Sequence, residues 1–426
     1  MIMKRTFLFI CFLFAYLFNM ISVLPPEKDS LCDSLKSEII SDLMNNILPF
    51  WEKYSPSPDG GFYGTILRDG TPIVDSPRGC ILNARILWTF ARAFRCTQNE
   101  NYKKLADRAY EYFDTHFINR RQGGVYSVIT AQGLPLDSTK SASPLTYTIY
   151  ALAEYANATT SESSLKCAKM LYRFVEDHLA DTHGTGYFDS YNKQSAEKTR
   201  PTRTLDTHLH LMEAYTNLYK IWPDPELKES LRKIVILLNE RFFQPETGHL
   251  YTLFDMDWKP LERIDRYGHD TETAWLLYEA ASVLDDEHLK DQCRDVALKL
   301  CRAVVRDGIL PQEAIATEFN HDTKQMNLFL TWWTQSETIS AFLYAWKLTG
   351  DTEWLQHANR TWQFVKAHFI DHEAGGWFKS CTPEGEPIKQ APKGSLWNCP
   401  YHGSRMGFIT YELLVGLPTE NIFLHY

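Results

Sequence analysis

Pairs of histidines and charged residues recur in the chain at spacings that place them side by side. His269 and Glu272 stand three residues apart where an apolar stretch begins, so one carboxylate can hold the imidazole or contact the same ligand. His402 and Arg405 repeat that spacing in a segment that opens with Trp397, and its Pro and Gly residues predict a loop. Imidazoles, with a usual pKa near about 6.5, suit the removal and return of a proton at neutral pH, which favours isomerisation over hydrolysis.

Three further polar groups lie among apolar neighbours, where desolvation is costly unless they have a partner or a task. Arg85 is one, and an ion pair at the helix end is the alternative explanation. His208 and His210 are about 200° apart on a helix, so only one can face a central axis. Trp333 and Glu337, four residues apart, offer a stacking surface beside a hydrogen-bond acceptor.

Each of these groups also has a purely structural explanation. Asp270 or Thr271 beside His269 can cap a helix, and a lone histidine on an apolar helix is most often a satisfied core residue. None of the histidines shows the two-per-face spacing of a zinc helix, so we expect no metal. A glycoside hydrolase remains an alternative, although the embedded acids Glu272 and Glu337 each accompany a His or a Trp.

A repeat of about sixty residues must position these groups. Glycine turns that follow amphipathic stretches are spaced by 63, 62 and 62 residues over the first four marks, and a degraded mark followed by a full one continues the series. The six marks are Gly61, Gly124, Gly186, Gly248, Gly308 and Gly376. A fixed period of this length indicates one supersecondary unit that buries its apolar face against its neighbours.

Each unit holds two predicted helices. Apolar residues at helical spacing fall in pairs of segments, which are 81–94 with 102–113, 145–155 with 165–175, 209–221 with 227–243, 273–284 with 289–305, and 336–348 with 354–369. The last unit ends in the apolar segment 408–417, which an open solenoid would expose. We therefore predict a closed (α/α)6 barrel over residues 33–426, with short turns or hairpins at the glycines.

Composition limits the ligand class. The 426 residues carry a formal charge of −9, and no basic stripe interrupts the mixture, which argues against nucleic acid. Twelve Trp, 22 Tyr and 24 Phe provide flat faces of the kind that sugars contact. The nine cysteines form no C-x-x-C pair and are expected to be buried thiols.

The amino terminus resembles an export signal. Lys4 and Arg5 precede an apolar run, so residues 1–24 are predicted to be a signal peptide or signal anchor. A periplasmic or membrane-anchored location is expected, with a cytoplasmic one as the alternative because the cysteines show no disulfide framework. We expect a monomer whose only membrane contact is this segment.

Five motifs, spread over residues 83–406, together resemble a known family. They are NARILW, DTHLHLMEAY, GHDTETAWLL, WWTQSE and WNCPYHGSRM, and their order is similar to that of the N-acylglucosamine 2-epimerase superfamily, especially its branch that acts on cellobiose and related disaccharides. The resemblance implies an (α/α)6 barrel and an enzyme that uses neither cofactor nor metal. Asp206 departs from the pattern, since Asn is usual there.

The resemblance also implies a reaction and a role for each matched residue. The reaction inverts carbon 2 of the reducing-end sugar of a β-1,4-linked disaccharide through a cis-enediolate. It would convert cellobiose to glucosylmannose, mannobiose to mannosylglucose and lactose to epilactose. The implied proton-transfer and oxyanion groups are His269, His402, His208 and Arg85, and the implied sugar contacts are Glu272, Trp333, Glu337, Trp397, Arg405 and Tyr147.

Alternatives within and beyond the family stay open. A monosaccharide substrate would make the chain an N-acylglucosamine 2-epimerase or a mannose isomerase. The glycoside hydrolase and a non-catalytic sugar-binding barrel are more distant possibilities, because an (α/α)6 barrel can serve several functions.

Overall fold

The computed structural model describes residues 27–137, 139–181, 185–191 and 202–415. The predicted leader, residues 1–24, lies outside these ranges. Helices dominate the described residues, and the strands among them are two or three residues long. No helix in these ranges is both long and apolar enough to cross a bilayer.

The helices follow one another in pairs along the chain. In order they are α1 Glu27–Asp42, continued through a π-helical turn Leu43–Ile47 into α2 Leu48–Tyr54, then α3 Cys80–Thr97, α4 Glu100–His116, α5 Ala142–Thr159, α6 Glu162–His178, α7 Leu205–Ile221, α8 Pro225–Leu237 with a π-helical turn Leu238–Phe242, α9 Tyr267–Ser282, α10 Glu287–Asp307, α11 Trp332–Thr349, α12 Thr352–His368 and α13 Tyr401–Val415.

Two concentric rings form from this alternation. The inner ring contains α3, α5, α7, α9, α11 and α13, and α13 returns to pack against α3. The outer ring contains the intervening helices, and α12 packs against α1. Inner helices such as α3 are buried nearly all round, whereas an outer helix such as α6 buries only one stripe. The predicted closed (α/α)6 barrel is confirmed.

Short antiparallel strands tie each unit together. The strands are β1 Arg78–Gly79, β2 Val128–Ile129, β3 Lys140–Ser141, β4 Ser190–Tyr191, β5 Arg203–Thr204, β6 Leu253–Phe254, β7 Ile264–Arg266, β8 Glu318–Asn320, β9 Gln325–Asn327, β10 Leu330–Thr331 and β11 Ser380–Cys381. A strand that immediately precedes an inner helix pairs with one that follows the next outer helix, as β1 does with β2 and β5 with β6. The inner helices therefore all begin at the same end of the barrel.

The predicted turns follow the outer helices and lie at the end of the barrel where the inner helices begin. Each is a tight loop after an outer helix, bracketed by an isolated antiparallel bridge. The bridges are Pro56–Phe62, Ile118–Val125, Ala180–Tyr187, Phe243–Leu250, Ile309–Ile315 and Ile370–Trp377. The fifth unit has the same bridged turn, but Gly308 caps α10 just before it, and the residue of positive φ within the turn is Glu313.

Candidate active site

Polar side chains meet at the axis where the inner helices begin. The sixth residue of five inner helices lies in this layer, and these residues are Arg85, Tyr147, His210, Glu272 and Glu337. All five are buried. Six helix N-termini surround the layer, and their dipoles favour negative charge there. The site therefore combines acid–base groups with helix ends that stabilise its carboxylates.

One guanidinium links the carboxylates of this layer. Arg405 forms ion pairs with Glu213, Glu272 and Glu337, and the contact between its Nη2 and Glu337 Oε1 is 2.6 Å. Burial raises the pKa of Glu337, although the charge of Arg405 opposes that change. Arg405 compensates the negative charge of these buried carboxylates, and its removal would leave that charge uncompensated.

His402 has a fixed orientation. The segment predicted to be a loop begins helix α13 at Tyr401, so that prediction was wrong and His402 is the second residue of a helix. Its Nδ1 lies 2.7 Å from Glu337 Oε1, and a carboxylate there holds the proton on Nδ1, which leaves Nε2 as an acceptor. Burial, with a smaller effect of Arg85, lowers the pKa of His402 well below its usual value. The ring is neutral at pH 7.

His269 faces the same indole as His402. The ring centroids of His269 and His402 lie 5.1 Å and 5.7 Å from that of Trp333. Burial lowers the pKa of His269, although Glu272 opposes the shift, and the Nδ1 of His269 has no partner among the described residues. His269 and Trp333 are both partly exposed, so this side of the site opens to solvent.

Arg85 and Tyr147 form a second donor group. Arg85 Nη2 donates to Tyr147 Oη at 2.5 Å, and its Nη1 donates to the carbonyl oxygen of Trp397 at 3.3 Å. Trp397 itself is 53% exposed and stands at the rim on the loop before α13. The structure thus brings together Arg85, Tyr147 and the backbone, but not the indole, of Trp397.

His208 does not join this cluster, and the structure corrects that assignment. Its Nε2 accepts the N–H of Tyr187 at 3.0 Å, and its Nδ1 lies 2.7 Å from the carbonyl oxygen of Thr204. The ring lies beneath the turn at Gly186, where a Cβ would come within 2.6 Å of Nε2. Burial lowers the pKa of His208 to about 4. His208 ties a turn to α7 and has no free ring nitrogen for a substrate.

His210 occupies the position expected of His208. Its Nε2 is 2.9 Å from Tyr147 Oη and 3.3 Å from Asp206 Oδ1, and its Nδ1 is 3.0 Å from Glu213 Oε2. Burial alone would lower the pKa of His210, but the charge and hydrogen bond of Asp206, with Glu213, raise it to about 10. His210 is an imidazolium at neutral pH. Sequence reasoning missed both His210 and Glu213 as site residues.

One group of side chains has the spacing of a metal site. Ligand atoms of Glu272, Glu337 and His402 lie within 4.8 Å of one another. The Arg405 guanidinium already contacts both of these carboxylates. A metal ion here would be repelled by that charge and would compete with it for the same oxygens.

Comparisons with known proteins find relatives that match most of the chain. The family model for N-acylglucosamine 2-epimerase matches residues 61–402. A cellobiose 2-epimerase from Bacteroides fragilis is 35% identical over 382 residues, which are 87% of this chain and 97% of that protein. The solved cellobiose 2-epimerase from Bacillus thermoamylovorans B4167 superposes with a TM-score of 0.84 at 29% identity, covering 88% of this chain and 99% of the other.

A more distant structure shares the fold alone. A D-mannose isomerase has a TM-score of 0.77 at 17% identity, over 92% of this chain and all of that one.

The family model and the relative from Bacteroides fragilis each match most of the chain, which shows that this chain belongs to the N-acylglucosamine 2-epimerase family. It is accordingly an enzyme of the isomerase class that acts on carbohydrates.

Proposed function

We propose that the enzyme inverts carbon 2 of the reducing-end sugar of β-1,4-linked disaccharides, with cellobiose and mannobiose as substrates. The observation that carries the proposal is the placement of two neutral imidazoles, His269 and His402, against one indole. Inversion at carbon 2 needs one acid–base group to remove the proton and a second to return a proton to the opposite face. The two rings come from different helices. The names of the relatives at 30–35% identity support the disaccharide as substrate.

The first step opens the sugar ring. His402 Nε2 takes the proton of the hydroxyl at carbon 1. It delivers this proton to the ring oxygen as the bond between carbon 1 and the ring oxygen breaks. The product is an aldehyde, and His402 returns to its neutral state. Glu337 serves this step through His402, because one of its oxygens contacts His402 and Arg405 and the other accepts from Trp275.

The second step removes the proton at carbon 2. One imidazole takes this proton, and the electron pair moves to form the enediolate, with negative charge on the oxygen at carbon 1. Arg85 and Tyr147 are the donors for that oxygen, and the His210 imidazolium supports Tyr147 by donating to its Oη, so His210 takes the place first assigned to His208. A fixed donor of this kind contributes about 3 kcal/mol to the transition state.

The third step returns a proton to the opposite face. Rotation about the bond between carbons 2 and 3 presents that face to the second imidazole. This ring takes a proton from solvent, to which the His269 side of the site is open, and gives it to carbon 2. The first ring releases the proton that it removed to solvent, so both rings end neutral. Four carboxylates face three cations in the site. One imidazole can therefore hold an additional proton without giving the site a net positive charge. The carboxylates are Asp206, Glu213, Glu272 and Glu337, and the cations are Arg85, Arg405 and His210. Trp333 stacks on the reacting sugar, and Trp397 on the second one at the rim.

A product assay in deuterated water tests the proposal. Cellobiose, mannobiose, lactose, N-acetylglucosamine and mannose are each incubated with the purified enzyme, and products are identified by NMR. We expect the disaccharides to yield their carbon-2 epimers with deuterium at that carbon. Epimer without deuterium would reject the enediolate, and free glucose would identify a hydrolase. Fructose from mannose, or N-acetylmannosamine with inert disaccharides, would identify a monosaccharide enzyme. The same assay after dialysis against EDTA should give an unchanged rate.

A further inference from the structure

A half-exposed carboxylate, Asp206, contacts the buried imidazole of His210. Asp206 is the second residue of α7 and lies one helical turn before His210. Its Oδ1 is 3.3 Å from His210 Nε2, and its Oδ2 accepts a hydrogen bond from Ser143 of α5 at 3.1 Å. The Asp206 side chain is 48% exposed, whereas that of His210 is 5% exposed. Asp206 thus lies between solvent and the catalytic layer.

Each ring nitrogen of His210 faces a carboxylate. Glu213 lies at Nδ1 and Asp206 at Nε2, so both nitrogens carry protons. The groups around the ring come from four inner helices, and they are Tyr147 of α5, Asp206 and Glu213 of α7, Glu272 and His269 of α9, and Arg405 of α13, which pairs with Glu213. The two acids in direct contact outweigh the single cation behind Glu213.

The consequence is a hydroxyl with a free proton. Tyr147 Oη accepts from Arg85, which can only donate, and the Nε2–H of His210 is the second donor at 2.9 Å. With two donors on its oxygen, Tyr147 has no acceptor for its own proton among the described residues. If His210 lost the proton on Nε2, that nitrogen would accept the tyrosine proton instead.

We propose that Asp206 is a positioning residue that keeps His210 doubly protonated, so that Tyr147 directs its hydroxyl proton at the substrate oxygen on carbon 1. The contacts of the Asp206 carboxylate within the site are with His210 and Ser143. Asp206 acts through His210 and Tyr147, in series. The functional part of this inference rests on the proposed epimerase activity, whereas the protonation of His210 does not.

The decisive variant is Asp206→Asn, which keeps the shape of the side chain but removes its charge. We expect the pKa of His210 to fall, so that kcat drops about tenfold or more near pH 8 and recovers as the pH is lowered toward 6.5. KM should change less than kcat, because the lost hydrogen bond strengthens in the transition state. The wild type should show no such alkaline loss below about pH 9, since the pKa of His210 is about 10. An unchanged pH profile in the variant would overturn the proposal.

Two further variants separate positioning from general disturbance. Ser143→Ala removes the other partner of Asp206 but keeps the charge of the carboxylate. This variant should therefore keep the pH profile of the wild type on the alkaline side. Tyr147→Phe should cost as much as Asp206→Asn at pH 8, and the double variant should cost no more than either alone. Additive losses would contradict action in series. Asp206→Glu, which restores the charge, should recover part of the activity.

NMR gives a readout that does not depend on catalysis. The side-chain nitrogen shifts of His210 in labelled protein should report two bound protons up to about pH 9 in the wild type and a lower titration in Asp206→Asn. A wild-type His210 that titrates near 6.5 would sink the inference even if the enzyme epimerises cellobiose. The opposite result, a doubly protonated His210 in a chain inactive on every disaccharide, would reject the proposed function and keep the electrostatic part.

Discussion

Two imidazoles at the axis differ in their surroundings, and this difference predicts how each variant will behave. His402 is held by Glu337, whereas His269 has a free Nδ1 and contacts Trp333. We expect His269→Asn and His402→Asn each to lower kcat for cellobiose epimerisation at least a hundredfold, the usual range for a general acid or base being about 10²–10⁴. Initial rates by chromatography measure the effect.

Matched controls are available for these variants. Trp397→Ala, at the exposed rim, should raise KM for the disaccharide with a smaller change in kcat. Circular dichroism should show that both histidine variants keep the helical fold. A histidine variant with the wild-type rate would contradict its assignment as an acid–base group.

The pH dependence of turnover follows from the same two rings. Burial lowers the pKa of His269 and of His402, so both are neutral at pH 7 and lose their lone pair only as the pH falls. The acid limb of kcat/KM should therefore lie below pH 6.5, the ordinary value for histidine. Rates measured from pH 4 to pH 9 test this. An acid limb above pH 7 would mean that charge, and not burial, dominates the environment of these rings.

At the scale of the helix, position in the repeat distinguishes structural from functional residues. The fourth residue of an inner helix ties down a glycine turn, since His208, Asp270 and Gln335 each accept a backbone N–H from the residue in or after that turn. The sixth residue faces the axis, as His210 and Glu272 do. His208 and His210 therefore differ in role although they are two residues apart.

This difference predicts opposite outcomes for two similar variants. His208→Ala should lower the free energy of unfolding by about 1–3 kcal/mol, because a buried N–H loses its acceptor, while the folded enzyme keeps most of its kcat. His208→Gln should cost less, because Gln335 makes the same contact in another unit. His210→Ala should lower kcat at least tenfold, since Tyr147 loses the donor that directs its hydroxyl proton at the oxyanion. Urea unfolding and steady-state rates measure the two effects, and a catalytic defect confined to His208→Ala would reverse the assignment.

Much of the helical structure and its arrangement could be predicted from the sequence. The glycine period and the paired helices predicted the closed barrel, because six amphipathic units bury their faces only by closure. The same period locates the axial layer, since Arg85, Tyr147, His210 and Glu272 follow one another at intervals of 62 or 63 residues. This alignment would have selected His210 over His208. The helical start of α13 was less accessible, because Pro and Gly residues near Tyr401 favour a loop as readily as a helix N-terminus.

The role of Glu213 could be predicted from spacing only in part. It stands three residues after His210, as Glu272 does after His269, so the contact with that imidazole was visible in the sequence. Its other partners, Arg405 and Tyr401, are almost two hundred residues away along the chain and come near only when α13 closes the ring. A buried network of this kind depends on tertiary closure, which single-helix patterns do not contain.

At the scale of the whole molecule, one buried histidine joins elements of neighbouring units. His249 follows a glycine turn, and its Nδ1 lies 2.7 Å from Asp270 of α9 while its Nε2 lies 3.0 Å from Asp307 of α10. Asp265 of β7 is 3.8 Å from the same Nε2 and also binds His321. Asp270 is the neighbour of His269 in the chain, so this cluster anchors the helix start that carries a proposed catalytic base.

The cluster predicts an alkaline loss of stability. Burial alone would lower the pKa of His249, but the hydrogen bond and charge of Asp270, with Asp265 and Asp307, raise it to about 9. Because the pKa is higher in the folded than in the unfolded state, the stabilisation is complete below about pH 6.5 and is lost as the pH rises through about 9, with a magnitude on the order of 3 kcal/mol. Urea unfolding of the wild type and of His249→Gln at pH 6.5 and 9.5 measures it. The gap between the two proteins should narrow at the higher pH, because only the wild type has this proton to lose, and a constant gap would show that His249 is neutral in the folded protein.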